Sequence, residues 1–308
     1  MYKSGWIMCN GVPTCVRTWG GWITDNLKSD SVVLLITGNP GITDFYKKFL
    51  SSLNKSLNIP VWVLCHAGNQ IPPSSENMIM PSLNSNPDLY NLDGQVKHKE
   101  DFILNYIPES KKIYLIGHSI GGKISVELMK NERIAKRVGH VYLMCPTLQY
   151  IGDTPNGKFY RMFLGRISPF LIMLAWIFTF LPYRIRAGLV YTFTMLYSLS
   201  FTIESCCVSG LLKLFTPKVL KGVFFFAQDE MDNVKALDHE IYENYYDKIQ
   251  VYFGVSDRWA PLYQYEDLKK KYPLIECKLL EPYFTHSFVF RSSEAAAEKL
   301  TEQIKRIK

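Results

Sequence analysis

The stretch Ile113-Tyr114-Leu115-Ile116-Gly117-His118-Ser119-Ile120-Gly121-Gly122, continued by Lys123-Ile124-Ser125-Val126-Glu127, runs from an apolar β-type segment through Gly-X-Ser-X-Gly into a helix-forming one. Five residues of this kind are common on their own. What gives them meaning is the strand before and the helix after. That arrangement holds a serine on a sharp turn with its hydroxyl raised from the sheet edge, where crowding excludes a side chain on either flank. Gly117 and Gly121 meet that demand. The helix start also leaves one backbone N–H without an intrahelical partner, that of Ile120, where an oxyanion would develop.

Outward from this turn, short apolar runs alternate with helical patterns, the signature of an α/β protein with a mostly parallel sheet and crossover helices. Strands are expected at 32–37, 61–65, 113–117, 140–145, 250–254 and 275–280. They read as buried on both faces, being continuously rather than alternately apolar. Helices fit at 43–53, at 93–106 with Asp93 as cap, at 119–130, and at 292–307 with Ser292 or Ser293 as cap.

A serine nucleophile needs a general base, and the base needs an orienting carboxylate. In hydrolases built on this turn they follow the serine in the order acid, then histidine. Asp257, in Tyr252-Phe253-Gly254-Val255-Ser256-Asp257, leaves one strand, and His286 follows the last strand before the terminal helix. The rivals are weaker: Asp153 sits between Gly152 and Pro155 as a turn residue, and His239 lies in a polar helical stretch. The second oxyanion donor is expected from the loop Gly38-Asn39-Pro40-Gly41, at the N–H of Asn39. His118 and His66 are candidates for lining the pocket. The histidines lack metal-ligand spacing and no Gly-rich phosphate loop occurs, so neither metal nor cofactor is implied.

Among the 308 residues, 47% are hydrophobic, which excludes whole-chain disorder. The 35 Lys and Arg against 28 Asp and Glu give a formal charge of +7, spread over many segments. That suits a modest attraction to anionic surfaces, and no nucleic-acid-binding motif occurs. Seven cysteines at irregular spacings form neither a disulfide framework nor a zinc site, and imply a reducing, cytosol-facing location. Cys65 and Cys145 end apolar runs and read as buried small hydrophobes. Residues 1–20 lack the apolar core of a signal peptide, which makes Asn54-Lys55-Ser56 an accidental sequon.

After Pro146, about ninety residues separate two strands that should be near neighbours. The chain is therefore divided into a first core part (1–150), a hydrophobic helical insertion (151–240) and a second core part (241–308). Residues 167–183 and 187–203 are uncharged, bracketed by Arg166, Arg184, Arg186 and Glu204. Pro169 and Pro182 lie near the ends of the first stretch, where a helix tolerates them best. At 17 residues each, the stretches are short for spanning helices. Two readings stand: a hydrophobic cap over the site, or a helical hairpin embedded in a single leaflet, with Arg184 and Arg186 at a turn reaching the headgroups.

Taken together, several stretches resemble the lipid-droplet-associated hydrolases, a group within the α/β-hydrolase fold. They are Gly38-Asn39-Pro40-Gly41 with Phe45-Tyr46, Cys65-His66-Ala67-Gly68, Leu92-Asp93-Gly94-Gln95-Val96-Lys97-His98, Gly117 to Gly121, Pro155-Asn156-Gly157, Asp257-Arg258-Trp259 and His286. Gly122 and Arg258 depart from the pattern. The resemblance implies a Ser119, Asp257, His286 triad and an insertion that targets the droplet monolayer or the cytosolic face of the endoplasmic reticulum. It also implies a neutral-lipid ester, sterol ester or acylglycerol, as substrate. A droplet coat or tether with little turnover is the alternative, and no oligomeric state follows from the sequence.

Overall fold

Apolar residues that alternate between two buried faces explain why the expected strands read as continuous. In β3 (Ser31–Ile36), Val32, Leu34 and Ile36 enter one core, whereas Val33 and Leu35 enter the other. The structure, a computed structural model, describes residues 2–198 and 206–307. With β1 (Tyr2–Cys9), β2 (Val12–Trp19), β4 (Val61–Leu64), β5 (Lys112–His118), β6 (Val138–Met144), β7 (Ile249–Gly254) and β8 (Glu276–Leu280), β3 forms one sheet. Its order is β1-β2-β4-β3-β5-β6-β7-β8. The six expected strands are mutually parallel.

Helices of nine residues or more cover both faces. On one face, α2 (Leu92–Tyr106) contributes Phe102 and Ile103, and α3 (Ile120–Leu128) contributes Ile124 and Leu128. On the other, α1 (Lys47–Leu57) packs Phe49, Leu50 and Leu53 beside Leu300 and Ile304 of the C-terminal helix Ser293–Ile307. Cys65 and Cys145 are fully buried, as read.

Several expectations need correction. The N-terminal hairpin of β1 and β2 was not anticipated, although Asn10-Gly11 is a hairpin signal and both residues have positive φ (45° and 73°). Its polar residues disguised it: buried Thr14 pairs with His98 at 2.7 Å, and buried Arg17 with Asp44 at 2.7 Å, partners far along the chain. Strand β8 is an edge and is only partly buried, with Glu276 paired to Lys278. Asn91, not Asp93, caps α2, accepting from the Gly94 N–H at 2.8 Å. The C-terminal helix begins at Ser293, directly after Ser292, one of the two expected caps, while the Ser293 hydroxyl donates back to the Val289 carbonyl at 2.8 Å.

Between β6 and β7 lie α4 (Gly165–Thr179), α5 (Tyr183–Ser198), α6 (Cys206–Leu214) and α7 (Pro217–Asn233), then α8 (Leu262–Lys271) follows β7 and α9 (Ser293–Ile307) follows β8. Pro169 sits inside α4 rather than at an end. Proline cannot donate to the Gly165 carbonyl, and the Ser168 hydroxyl does so instead, at 2.8 Å. The turn between the helices is residues 180–182, so Arg184 and Arg186 belong to the first turn of α5. Of the expected stretch 187–203, residues 199–203 and the flanking Glu204 lie outside the described residues.

The helical run Pro155–Thr179 is long and apolar enough to cross a bilayer by length and composition, with a mean hydropathy of 1.7 over its most apolar 18 residues. Of the large apolar side chains that are exposed among the described residues, seventeen lie between 159 and 196, including Met162, Phe170, Trp176, Phe180, Tyr191 and Leu196. So dense a patch marks a surface that meets something apolar.

Candidate active site

Strand β5 ends at His118, α3 begins at Ile120, and Ser119 between them has φ 54° and ψ −125°. That backbone is costly for a residue with a side chain and persists only where its surroundings impose it. Here the Ser119 N–H donates to the Met144 carbonyl at 3.2 Å, and the Ser119 carbonyl accepts from Gly122 and Thr147 at 2.9 and 3.1 Å. A Cβ on Gly117 would fall 2.6 Å from the Gly121 carbonyl oxygen, and one on Gly121 would fall 2.2 Å from that of Ile36. Both flanking glycines are therefore sterically required. Gly122, the departure noted above, is equally confined, 2.6 Å from Pro146 by the same construction.

The side chains expected to act together are brought together. His286 Nε2 lies 2.9 Å from Ser119 Oγ, and His286 Nδ1 lies 2.7 Å from Asp257 Oδ2. The other Asp257 oxygen accepts from the N–H groups of Trp259 and Ala260 at 2.8 and 3.0 Å. Both carboxylate oxygens are thus used, and the carboxylate is fixed in orientation. Ser119 and Asp257 are buried, and His286 keeps 15% of its side chain exposed. The rivals stand apart: the Asp153 side chain is largely exposed near Arg161, and His239 bonds Tyr272 and Glu243.

The N–H groups of Ile120 and Asn39 donate to no acceptor among the described residues. The loop of Asn39 is pressed against the serine, since a Cβ on Gly38 would fall 2.8 Å from Ser119 Cβ. Two bonds hold the Asn39 side chain: Nδ2 donates to the Val223 carbonyl at 3.1 Å and to Glu230 Oε1 at 2.9 Å, both in α7. Burial pushes the Glu230 carboxyl up to about 8, so it stays protonated near neutral pH.

The other two candidate histidines, His118 and His66, are both buried. Both ring nitrogens of His118 are engaged: Tyr46 donates to Nδ1 at 2.7 Å, and Nε2 donates to the His286 carbonyl at 2.8 Å. Tyr46 in turn accepts from the Gly38 N–H at 2.9 Å. Burial and the neighbouring His286 hold His118 down to about 3, so it is neutral. His66 is fully buried under Gly41 and against Phe226, where burial and the charge of Lys99 hold it well below the usual histidine value. Residue-by-residue reading missed Tyr46 and Glu230. Tyr46 does fall in a matched stretch, whereas Glu230 carries no local signal.

A cavity of about 490 Å³ takes its walls from Asp257 and His286, from Arg258 and Trp259, and from Phe193 and Thr194 of α5. The insertion therefore contributes Phe193 and Thr194 to this cavity, while many of the large apolar side chains of its helices are exposed. Asn156, from the matched stretch at 155–157, donates to the Arg258 carbonyl at 3.1 Å and ties the insertion to the aspartate loop.

The family model described as lipid-droplet associated hydrolase matches residues 29–289. The chain belongs to the lipid-droplet associated hydrolase family. It is 37% identical over 304 residues to the lipid droplet-associated hydrolase of Drosophila melanogaster, covering 98% of each. It is also 28% identical over 313 residues to that of Homo sapiens, covering 97% of this chain and 94% of the relative. Among solved structures it is similar to a thermophilic esterase from Thermogutta terrifontis, with a TM-score of 0.63, 15% identity and 99% coverage of both chains. A laboratory-evolved variant of a potato epoxide hydrolase superposes with a TM-score of 0.67 at 11% identity, covering 99% of this chain and 100% of that one. Those likenesses show the α/β-hydrolase fold; family membership makes the chain a hydrolase.

Proposed function

We propose that this hydrolase is a serine carboxylic ester hydrolase that cleaves neutral-lipid esters, sterol ester or acylglycerol, at the surface of lipid droplets and on the cytosolic face of the endoplasmic reticulum. The observation that carries the reading is the unbroken relay from Asp257 through His286 to Ser119, at 2.7 and 2.9 Å, beneath an insertion whose outer face is apolar.

In this reading His286 takes the Ser119 proton as the hydroxyl oxygen attacks the ester carbonyl. Asp257 holds the imidazole in the tautomer with its proton on Nδ1 and stabilises the imidazolium that forms. The N–H groups of Ile120 and Asn39 receive the oxyanion. His286 then returns the proton to the departing alcohol, and a water activated by the same imidazole releases the acid from the acyl-enzyme. Pairing α4 and α5 as a hairpin in one leaflet would put the cavity mouth at the lipid surface, with Arg184 and Arg186 near the headgroups.

The test pairs membrane flotation with a fluorophosphonate probe and with turnover on emulsified sterol ester and triacylglycerol, comparing wild type with Ser119→Ala. Labelling and turnover that depend on Ser119 are expected. Their absence in lipid emulsion would reject the reading. A second reading, a droplet coat or tether with little turnover, is favoured by the seventeen exposed large apolar side chains, since anchoring through them needs no chemistry. Droplet phenotypes that survive Ser119→Ala but vanish on deletion of 160–210 would select it.

A further inference from the structure

Helices α4 and α5 do not close on one another: α4 rests on α7, and α5 on α6. The space left between them is a groove of about 420 Å³. Its walls include Leu174, Ala175 and Phe178 from α4, Leu189 and Val190 from α5, and Phe215, whose ring meets Phe178 edge-on at 5.9 Å. All nine lining residues are apolar, so an ordered water would find no polar partner among these side chains. Ala175 and Val190 are the buried members, while Leu174, Leu189 and Phe193 are exposed and edge the slot.

One residue joins this groove to the candidate active site. Phe193 lines the groove and also the cavity that contains Asp257 and His286. We propose that the groove binds one acyl chain of the ester substrate, with the carbonyl at Ser119 and Phe193 as the partition between the chain and the reacting group. The proposal rests on the ester-hydrolase reading above. Three features favour a linear chain as the occupant. The lining holds no polar group to receive a headgroup, the volume is at the lower end of the roughly 300–1,000 Å³ of small-molecule sites, and exposed apolar residues surround the groove where lipid would lie.

The experiment uses the full chain. A bulky side chain at the slot, Ala175→Phe or Val190→Phe, is expected to lower the preference for p-nitrophenyl palmitate over p-nitrophenyl butyrate, read as the ratio of kcat/KM values, by about tenfold or more. In parallel, the Ser119→Ala protein is irradiated with a fatty acid carrying a diazirine at mid-chain. Adducts within 171–193 are expected. An unchanged chain-length preference in a folded variant, or adducts confined to other segments, would overturn the proposal. The photolabel needs neither turnover nor a groove variant that folds. If wild type turned over no ester, the ester-hydrolase reading would fail and the adduct map alone would decide whether the groove binds a fatty chain.

Discussion

His118 Nε2 donates a 2.8 Å hydrogen bond to the backbone carbonyl of His286, 168 residues further along the chain. The residue beside the serine therefore holds the main chain of the residue that faces the serine. Tyr46 continues the link to the Gly38 N–H, so one neutral imidazole ties together the elbow, the histidine loop and the loop carrying Asn39.

His118→Phe retains a ring to pack against Phe288, 4.9 Å away between centroids, but removes both hydrogen bonds. Because His118 positions His286 rather than touching substrate, kcat is expected to fall by about 10- to 100-fold with KM nearly unchanged. Steady-state kinetics on a soluble ester, with a melting curve as control, checks this. A rise in KM at constant kcat would place His118 against the substrate instead.

Asp257→Asn preserves shape but offers His286 a neutral partner in place of the carboxylate. Turnover is expected to drop on the order of 10⁴-fold, as in other triads in which the wrong imidazole tautomer is favoured. Fluorophosphonate labelling should slow in parallel while the fold, judged by circular dichroism, is retained.

Glu230 has its pKa raised to about 8 by burial, above the roughly 4.3 of an unperturbed glutamate. Between those values the folded state binds the proton that the unfolded state has released. Its contribution to stability is therefore full below the unfolded value and is lost as pH rises toward 8. Glu230→Gln keeps an oxygen to accept from Asn39 and removes the titration. The melting temperature of the wild type should fall more steeply than that of the variant between pH 5 and pH 8.5. Parallel curves would show that Glu230 ionises normally.

Asp44 is fully buried and receives Arg17 at 2.7 Å, Lys213 at 2.6 Å, Lys47 at 3.3 Å and the Ser209 hydroxyl at 2.8 Å. Burial alone would raise its pKa, but the charges of Arg17 and Lys213 overcome it and bring the carboxyl down to about 2. Stability from this cluster is present above the ordinary carboxylate range and is lost as pH falls from about 4 toward 2. Asp44→Asn strands buried Arg17 and should cost about 3–5 kcal/mol in chemical unfolding. It should also loosen α6 from the core, detectable as faster hydrogen exchange in that helix.

The outer face of the insertion should set the affinity for lipid. Phe170→Glu with Trp176→Glu alters two side chains that are more than half exposed. Each forgoes about 2 kcal/mol of apolar transfer. Flotation with phospholipid-covered emulsion should fall at least tenfold, while labelling of Ser119 in detergent persists. Unchanged flotation would assign attachment to another surface.

Local sequence was enough for the elbow, the parallel strands and the order of serine, aspartate and histidine. Each of these is a constraint within a few residues: glycines where a Cβ would collide, and apolar runs where both faces of a strand are covered. The N-terminal hairpin was half legible, its Asn10-Gly11 turn written locally but the burial of Arg17 and Thr14 dependent on Asp44 and His98. Only the folded chain could pair Asn39 with Glu230, 191 residues apart, or make His118 a strut to the His286 main chain. Such contacts join segments that share no local pattern, so their partners become known only when the sheet and the insertion are assembled. The serine's own turn could be read from a short stretch of sequence, but which side chains of the insertion reach the cavity beside His286 is a property of the tertiary structure.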